Sequence, residues 1–302
     1  LQEAKDSNEI ENIVTTDDEM YKASVDEIAT TRTAKEAQNY ATALKFGFKI
    51  IQEKKLLTIN DIIKIQQIIA PNHPIRKVPG TVLKNPGSGE VVFTPPQDYN
   101  EIQNLLQNLE KYINDPDFHK IDSLLKMPII HYQFESIQPF YDGNGRTGRI
   151  INMLYLVQQN LLDIPVLYLS SYIIRNKADY YRLLQKVRIE NDWESWIIWM
   201  LKGIEITAKE TIVTVNTIKI LMDTYKMKIR SNFTFYSHDL INTLFKHPYT
   251  KIDFLARELG VHRNTASSYL NALAEHGLLV KQKIGKSNYY INQPLLDTLS
   301  KR

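Results

Sequence analysis

Residues 134–149 read FESIQPFYDGNGRTGR, and the rest of the chain is read outward from them. DGNGRTGR (142–149) sets three glycines among polar residues and runs directly into the apolar segment IINMLYLV. Glycine lets a backbone turn tightly and bring its N–H groups close to a ligand. The positive end of the helix that follows adds to this, so the segment predicts an anion-binding nest at a helix start. Arg146 and Arg149 supply planar, permanently charged donors suited to phosphate oxygens. Asp142 would repel phosphate unless a hard cation lay between, and a Mg²⁺ ion shared by Asp142 and two phosphates resolves that conflict. No Lys-Ser/Thr follows the glycines, so the stretch does not follow the Walker pattern.

On both sides, apolar residues recur at helical spacing: AQNYATALKFGFKII, TINDIIKIQQII, IQNLLQNLEKYI and LLKMPIIHYQFESI. Thr58 and Asn100 are the expected N-caps of two of these helices. The exception is RKVPGTVLKNPGSGEVVFTPPQ (76–97). There TVL and VVF flank the turn residues NPGSGE, which predicts a β-hairpin closed by Pro95 and Pro96. Further helices follow the nest: RIINMLYLVQQN, YIIRNKADYYRLLQKVRI and DWESWIIWMLKGIEIT. Trp193, Trp196 and Trp199 recur every third position, the pattern of a helix face packed in a core. A long helix over 208–230 then ends in the basic KMKIR.

Residues 251–292, KIDFLARELGVHRNTASSYLNALAEHGLLVKQKIGKSNYYIN, have a different grammar. They predict helix, turn at Gly260, helix, turn at Gly277, then two short strands around Gly285, a helix-turn-helix followed by a β-wing. Asn264, Thr265, Ser267 and Ser268 fall early in the second helix, where base edges are read, and Arg263, Lys281, Lys283 and Lys286 are positioned to touch phosphates. Such modules also dock proteins or dimerise, so DNA contact and protein contact both stand at this point.

The 302 residues carry a formal charge of +3, too little to imply nucleic-acid or membrane binding by itself. There is no cysteine, which excludes disulfides and thiolate metal sites and is compatible with a reducing cytoplasm. No apolar run is long enough to span a bilayer, and the chain opens on Leu1 rather than Met, as if trimmed at its start.

IQPFYDGNGRTGR resembles the signature of the Fic (filamentation induced by cAMP) family, HPFxDGNGRxxR, at every position but the first, where Gln138 stands for histidine. The resemblance covers most of residues 1–205. It implies a Fic-type helical core with a β-hairpin flap; with the connector over 206–235 and the small winged helix-turn-helix domain over 236–302 read from the residues themselves, the fold class is mainly α. The resemblance also implies transfer of AMP from ATP, with Mg²⁺, to a hydroxyl of a target protein or of the chain itself; the sequence leaves a homodimer open and implies no membrane partner. By resemblance, Asp142 holds Mg²⁺ and the backbone of Gly143, Asn144 and Gly145 cradles the α- and β-phosphates. Arg146, Thr147 and Gly148 complete the ATP site, and Arg149 binds the γ-phosphate. Val82, Leu83, Lys84 and Asn85 form the flap that aligns the target. Tyr180 and Tyr181 match a pair beside the adenine, or else are core aromatics. SNEIEN, with Ser7, Glu11 and Asn12, resembles the inhibitory motif (S/T)xxxE(G/N), carried on a helix within about residues 1–20. There the glutamate pairs with Arg149 in place of the γ-phosphate, a carboxylate–guanidinium pair that occupies the donors phosphate needs.

In the family the motif histidine deprotonates the target hydroxyl. A glutamine amide neither gains nor loses a proton near neutral pH. Gln138 therefore fits an engineered substitution, a naturally silenced enzyme, or an enzyme with another proton acceptor. His131 is such an acceptor in principle. HYQFE also places His131 and Glu135 at metal-pair spacing, though a buried, hydrogen-bonded histidine is the plainer expectation. A reading from another class also stands: a DNA-binding regulator whose nucleotide module only senses.

Overall fold

The computed structural model describes residues 1–26, 31–84, 87–284 and 287–300. Along the chain run α1 (Gln2–Ile10), α2 (Asp17–Ala23), α3 (Arg32–Lys54) and α4 (Ile59–Ile69). A hairpin, β1 (Leu83–Lys84) and β2 (Val91–Phe93), precedes α5 (Tyr99–Asn114), α6 (Ser123–Ile137) and α7 (Asn144–Gln158). Then come α8 (Leu169–Arg175), α9 (Lys177–Glu190) and α10 (Trp193–Asn232). The chain ends with α11 (His238–Lys246), β3 (Tyr249–Thr250), α12 (Ile252–Leu259), α13 (Arg263–Glu275), β4 (Val280–Ile284), β5 (Ser287–Ile291) and α14 (Gln293–Ser300). Two compact units result: Leu1, Glu3–Val14 and Glu36–Ala208 form one; Gln2, Thr15–Lys35 and Lys209–Arg302 form the other.

The first unit is built on α7. From Ile150 to Val157 every residue of this helix is buried, as expected of a helix apolar on all sides. It packs along α6, whose buried Met127, Ile130, Phe134 and Ile137 form the facing wall. Gly47 lets α3 approach closely, since a Cβ there would lie 2.4 Å from Leu154. Thr58 caps α4 as expected, in a reciprocal capping box with Asp61, a device that contributes about 1 kcal/mol.

The cap of α5 is Asp98, not Asn100. The Asp98 carboxylate accepts the Glu101 amide at 2.9 Å, so the helix starts at Tyr99, soon after Pro95 and Pro96 end the hairpin. A second difference is α10. The segments read as 192–207 and 208–230 form one continuous helix, because residues 204–210 contain no breaker. Its Gly203 sits where a Cβ would meet the Tyr172 ring at 2.6 Å. Trp196 is fully buried, while Trp193 and Trp199 are half-buried against Tyr132 and Tyr172.

In the second unit, α12, Gly260 (φ 64°), α13, Gly277 (φ 70°) and the β4–β5 hairpin follow in the order read from sequence. β3, which the sequence did not announce, adds a third strand: the order is β3-β5-β4, with Tyr249 opposite Ile291 and Val280 opposite Ile291 on the other edge. Leu240, Leu244, Leu255, Leu270, Leu273 and Tyr290 close the core. The segment carrying α2 joins this unit through Asp26, which accepts from Lys251 Nζ at 2.6 Å and from the Tyr289 hydroxyl at 2.8 Å.

Candidate active site

α6 ends at Gln138, whose backbone is left-handed (φ 46°, ψ 58°). That turn exposes the last carbonyls of the helix, and Arg76 gathers them. Its Nε donates to the Gln138 carbonyl at 2.6 Å, and its Nη2 donates to Ile137 at 3.1 Å and to Pro96 at 3.0 Å. Arg76 is 1% exposed. It thus ties the foot of the hairpin to the start of the motif, and nothing in its sequence context, RKVPG, marks it for that role. Ile75 also bridges to Phe140, extending the join.

Between Phe140 and α7 the chain closes on itself. Asn144 Nδ2 donates to the Phe140 carbonyl at 2.7 Å, and its Oδ1 accepts the Phe140 amide at 2.9 Å. Gln66 Nε2 holds the Asp142 carbonyl at 2.9 Å. Gly143 is left-handed (φ 81°), and a Cβ there would press on Ala70 at 3.2 Å. α7 starts from this glycine with no side-chain cap. Its first-turn N–H groups have no partner within the helix and point toward the loop.

Arg149, 3% exposed, lies one turn further along. Its Nε donates to Ser7 Oγ at 2.7 Å, and its Nη2 donates to the Ser7 carbonyl and to Glu11 Oε1, both at 2.8 Å. Burial alone would lower the guanidinium pKa; the Glu11 carboxylate, with Tyr180 and Tyr40, outweighs it and raises it. Gly145 makes the approach possible, because a Cβ there would fall 2.1 Å from Glu11 Oε1. Asn12 stops α1 in a left-handed turn (φ 62°) and accepts from Lys177 Nζ at 3.0 Å. Three residues singled out at the chain start therefore meet the last arginine of the motif or its surroundings.

The other motif residues divide. Arg146 is buried and paired with Glu36 at 2.9 Å, and it approaches Asp142 at 3.6 Å. Glu36 carried no signal in sequence. The Asp142 side chain is 54% exposed. Thr147 is fully buried, and Gly148 lies where a Cβ would meet Glu135 Oε1 at 2.6 Å.

Behind Gln138 lies a buried polar row. Gln138 Nε2 donates to Glu135 Oε2 at 3.1 Å, while Glu135 Oε1 is buried without a partner. Burial pushes the Glu135 carboxyl up to about 7; Arg149 opposes this and Glu11 adds to it. His131, one turn earlier, is fully buried, stacked on Trp196, and engages Asn152 and the Tyr180 hydroxyl, each at 2.9 Å. Burial, then the Arg149 charge, lowers the imidazole to about 3. His131 is thus the buried, hydrogen-bonded histidine of the plainer expectation. Tyr180 is buried in the same aromatic group, and Tyr181 is 46% exposed beside it.

The hairpin pairs Leu83 with Phe93 and Lys84 with Val91. Val82 precedes the strand, and Asn85 lies outside the described residues. Gln185 on α9 donates to the Val92 carbonyl at 2.9 Å, and Arg188 sits 3.9 Å above the Phe93 ring. In the second unit, Asn264, Ser268, Arg263 and Lys283 are exposed, and Thr265 and Ser267 partly so. Arg263 pairs with Asp253 at 2.7 Å and Lys281 donates to Asn271 at 2.8 Å; Lys286 lies outside the described residues.

Three family models match consecutive stretches: the Fic/DOC family N-terminal model over 1–49, the Fic/DOC family model over 56–156, and the C-terminal domain of SoFic-like protein adenylyltransferases over 221–295. Residues 56–156 thus carry a Fic/DOC domain. The chain is 37% identical over 81 residues to a "probable protein adenylyltransferase" of Aquifex aeolicus, covering 27% of this chain and 24% of that protein. It is 26% identical over 112 residues to the protein adenylyltransferase fic-1 of Caenorhabditis elegans, covering 37% and 21%. The matches span less than a third of these relatives' length. A Fic family protein of Desulfovibrio desulfuricans has the same fold, with a TM-score of 0.60 at 18% identity over 96% of this chain and 86% of that one. The C. elegans Fic-1 structure superposes with a TM-score of 0.55 at 20% identity, over 71% and 62%.

Proposed function

We propose that the chain is a protein adenylyltransferase that places ATP on the start of α7, transfers AMP to a protein hydroxyl, and is held back at two points. The observation that carries this reading is Arg149, buried at the end of the glycine-rich nest and held by Glu11 and Ser7. A buried guanidinium 2.8 Å from a carboxylate of a separate helix is a phosphate-type site with a competitor already seated. The uncapped amides of α7 suit the phosphates nearer the reaction centre. A Mg²⁺ ion fits one carboxylate, the exposed Asp142, together with nucleotide phosphates, the coordination this ion favours in nucleotide sites. Among the described residues no three His, Asp or Glu side chains gather to cage a metal. When bound, the ion would neutralise phosphate charge.

The second restraint is Gln138, which offers a hydrogen bond but no ordinary base. General-base catalysis contributes about 10²–10⁴-fold, and that is the expected deficit. The test is incubation with α-labelled ATP, Mg²⁺ and a cell extract. Glu11→Gly with Gln138→His should label proteins strongly, and each single change much less; no label from the double variant would refute the reading.

A second reading, a DNA-binding regulator, draws on the helix-turn-helix and hairpin of the second unit. If residues 236–302 contact phosphates, affinity should fall with salt by a log–log slope of roughly 0.9 per contact. Lys281→Ala and Lys283→Ala should flatten it. Binding indifferent to salt would favour protein docking.

A further inference from the structure

Gln138 is not alone at the position of the missing base. Its amide nitrogen is committed to Glu135 Oε2 at 3.1 Å, and that bond fixes which end of the amide is spare. With Nε2 held inward, the carbonyl oxygen Oε1 is the end left to meet an incoming hydroxyl. A free glutamine could present either end, and only the carbonyl can accept a proton from a donor. Glu135 is 7% exposed, and its second oxygen has no partner. A buried carboxylate half-satisfied by a neutral amide is a costly arrangement for stability alone. Gly148 keeps the space for it, because any side chain there would strike Glu135 Oε1.

We propose that Gln138 and Glu135 form a proton relay that takes the place of the histidine base, with the Gln138 amide passing the target's proton to Glu135. The inference rests on the adenylyltransferase reading. As the target oxygen bonds to the α-phosphorus and pyrophosphate leaves, the hydroxyl proton moves to Gln138 Oε1. The Nε2 proton bonded to Glu135 moves to Oε2, and the double bond shifts from C=O to C=N. Glu135 ends protonated and Gln138 is an imidic acid. After the products leave, Glu135 returns a proton to nitrogen, Oε1 releases one to water, and the amide is restored. No oxidant or further reactant is needed. Glu135 acts through Gln138, so it is a positioning and proton-holding residue.

The groups facing Glu135 support a proton acceptor at neutral pH. Burial and Glu11 on α1 raise its pKa; Arg149 on α7 and Arg188 on α9 lower it, with a value of about 7. Tyr180 and Tyr181 on α9 and His131 on α6 lie in the same row, the first two raised and the histidine neutral. His131 is the weaker candidate: its imidazole is held to about 3 and both ring nitrogens are engaged.

The experiment measures label transfer from α-labelled ATP with Mg²⁺ by four full-length variants, with ATP binding followed calorimetrically to verify each fold. Glu11→Gly/Gln138→His is the control: if it labels nothing, the adenylyltransferase reading itself fails. If it labels, Glu11→Gly should label too, about 10²-fold or more slowly. Its rate should rise with pH to a plateau above an apparent pKa at or below 7, since removing Glu11 takes away a charge that raises Glu135. Adding Glu135→Gln to Glu11→Gly should cut transfer at least about tenfold and abolish that pH dependence. Adding Glu135→Gln to the histidine-bearing control should cost several-fold less than it costs beside Gln138. A silent Glu11→Gly beside an active control overturns the relay. So does equal loss from Glu135→Gln in both backgrounds, the result a purely structural role would give.

Discussion

Two helices of this molecule begin in opposite ways. α7 starts from a left-handed glycine with no side-chain cap, and a row of buried polar groups lies behind it. α13 starts from His262, whose own ring nitrogen accepts the Asn264 amide at 3.3 Å. A helix start that satisfies its own donors is a structural terminus; one that leaves them open beside a buried arginine offers donors that suit an anion. On the proposed function α13 would meet a partner through side chains such as Asn264 and Ser268, and α7 would meet phosphates through backbone.

The strongest way to break this contrast is to fill the open start. Gly145→Asp, made in a Glu11→Gly background, sets a carboxylate where the proposed function places the phosphates. It should weaken ATP binding more than about 10²-fold, an interaction of several kcal/mol at low dielectric; unchanged calorimetric affinity would show that the N–H groups of α7 are not the site. Next in size is Glu11→Gly alone. Releasing a charge-assisted hydrogen bond worth roughly 1.5–3 kcal/mol should tighten ATP binding about 10–100-fold, read by the same titration.

A smaller effect concerns the buried row. His131 has a folded pKa depressed from 6.5 to about 3. Its contribution to stability is full above 6.5 and is lost as pH falls from there toward 3, because the unfolded chain binds the proton first. Thermal melts of His131→Gln should show a flatter acid limb than the parent; an identical limb would place the acid sensitivity elsewhere. The smallest effect belongs to α13. His262→Ala removes one side-chain cap and should cost about 0.5–1 kcal/mol in denaturant unfolding, with the α7 unit unaffected.

Much of this was legible in the residues. The helical core follows from apolar spacing, the hairpin from NPGSGE between β-branched triplets, and the C-terminal order from glycines at 260 and 277, both in left-handed turns. The meeting of Ser7 and Glu11 with Arg149 was legible only through the short SNEIEN pattern, since the two lie 138 residues or more apart. Arg76 and Glu36 were not legible. Each matters through a partner far along the chain, and an isolated charged residue reads as a solvated surface. HYQFE was legible as far as a buried, hydrogen-bonded His131, but the contact of Gln138 with Glu135 was not, because it depends on the left-handed turn that brings Gln138 back over Glu135. The α5 boundary was hidden for a simpler reason, because Asp98 and Asn100 are both good caps and only the hydrogen bond to Glu101 separates them.

Arg76 also has a consequence for time. Its carbonyl partners lie 20, 61 and 62 residues away, so the clamp forms only when the chain between residues 76 and 138 has already collapsed around it. Such closures come late, after local helices and their nearest contacts. Interactions absent from the folding transition state slow escape from the native state and leave the rate of reaching it little changed. Arg76→Ala should therefore speed unfolding and leave refolding little changed, the kinetic signature of a latch on the hairpin and the motif.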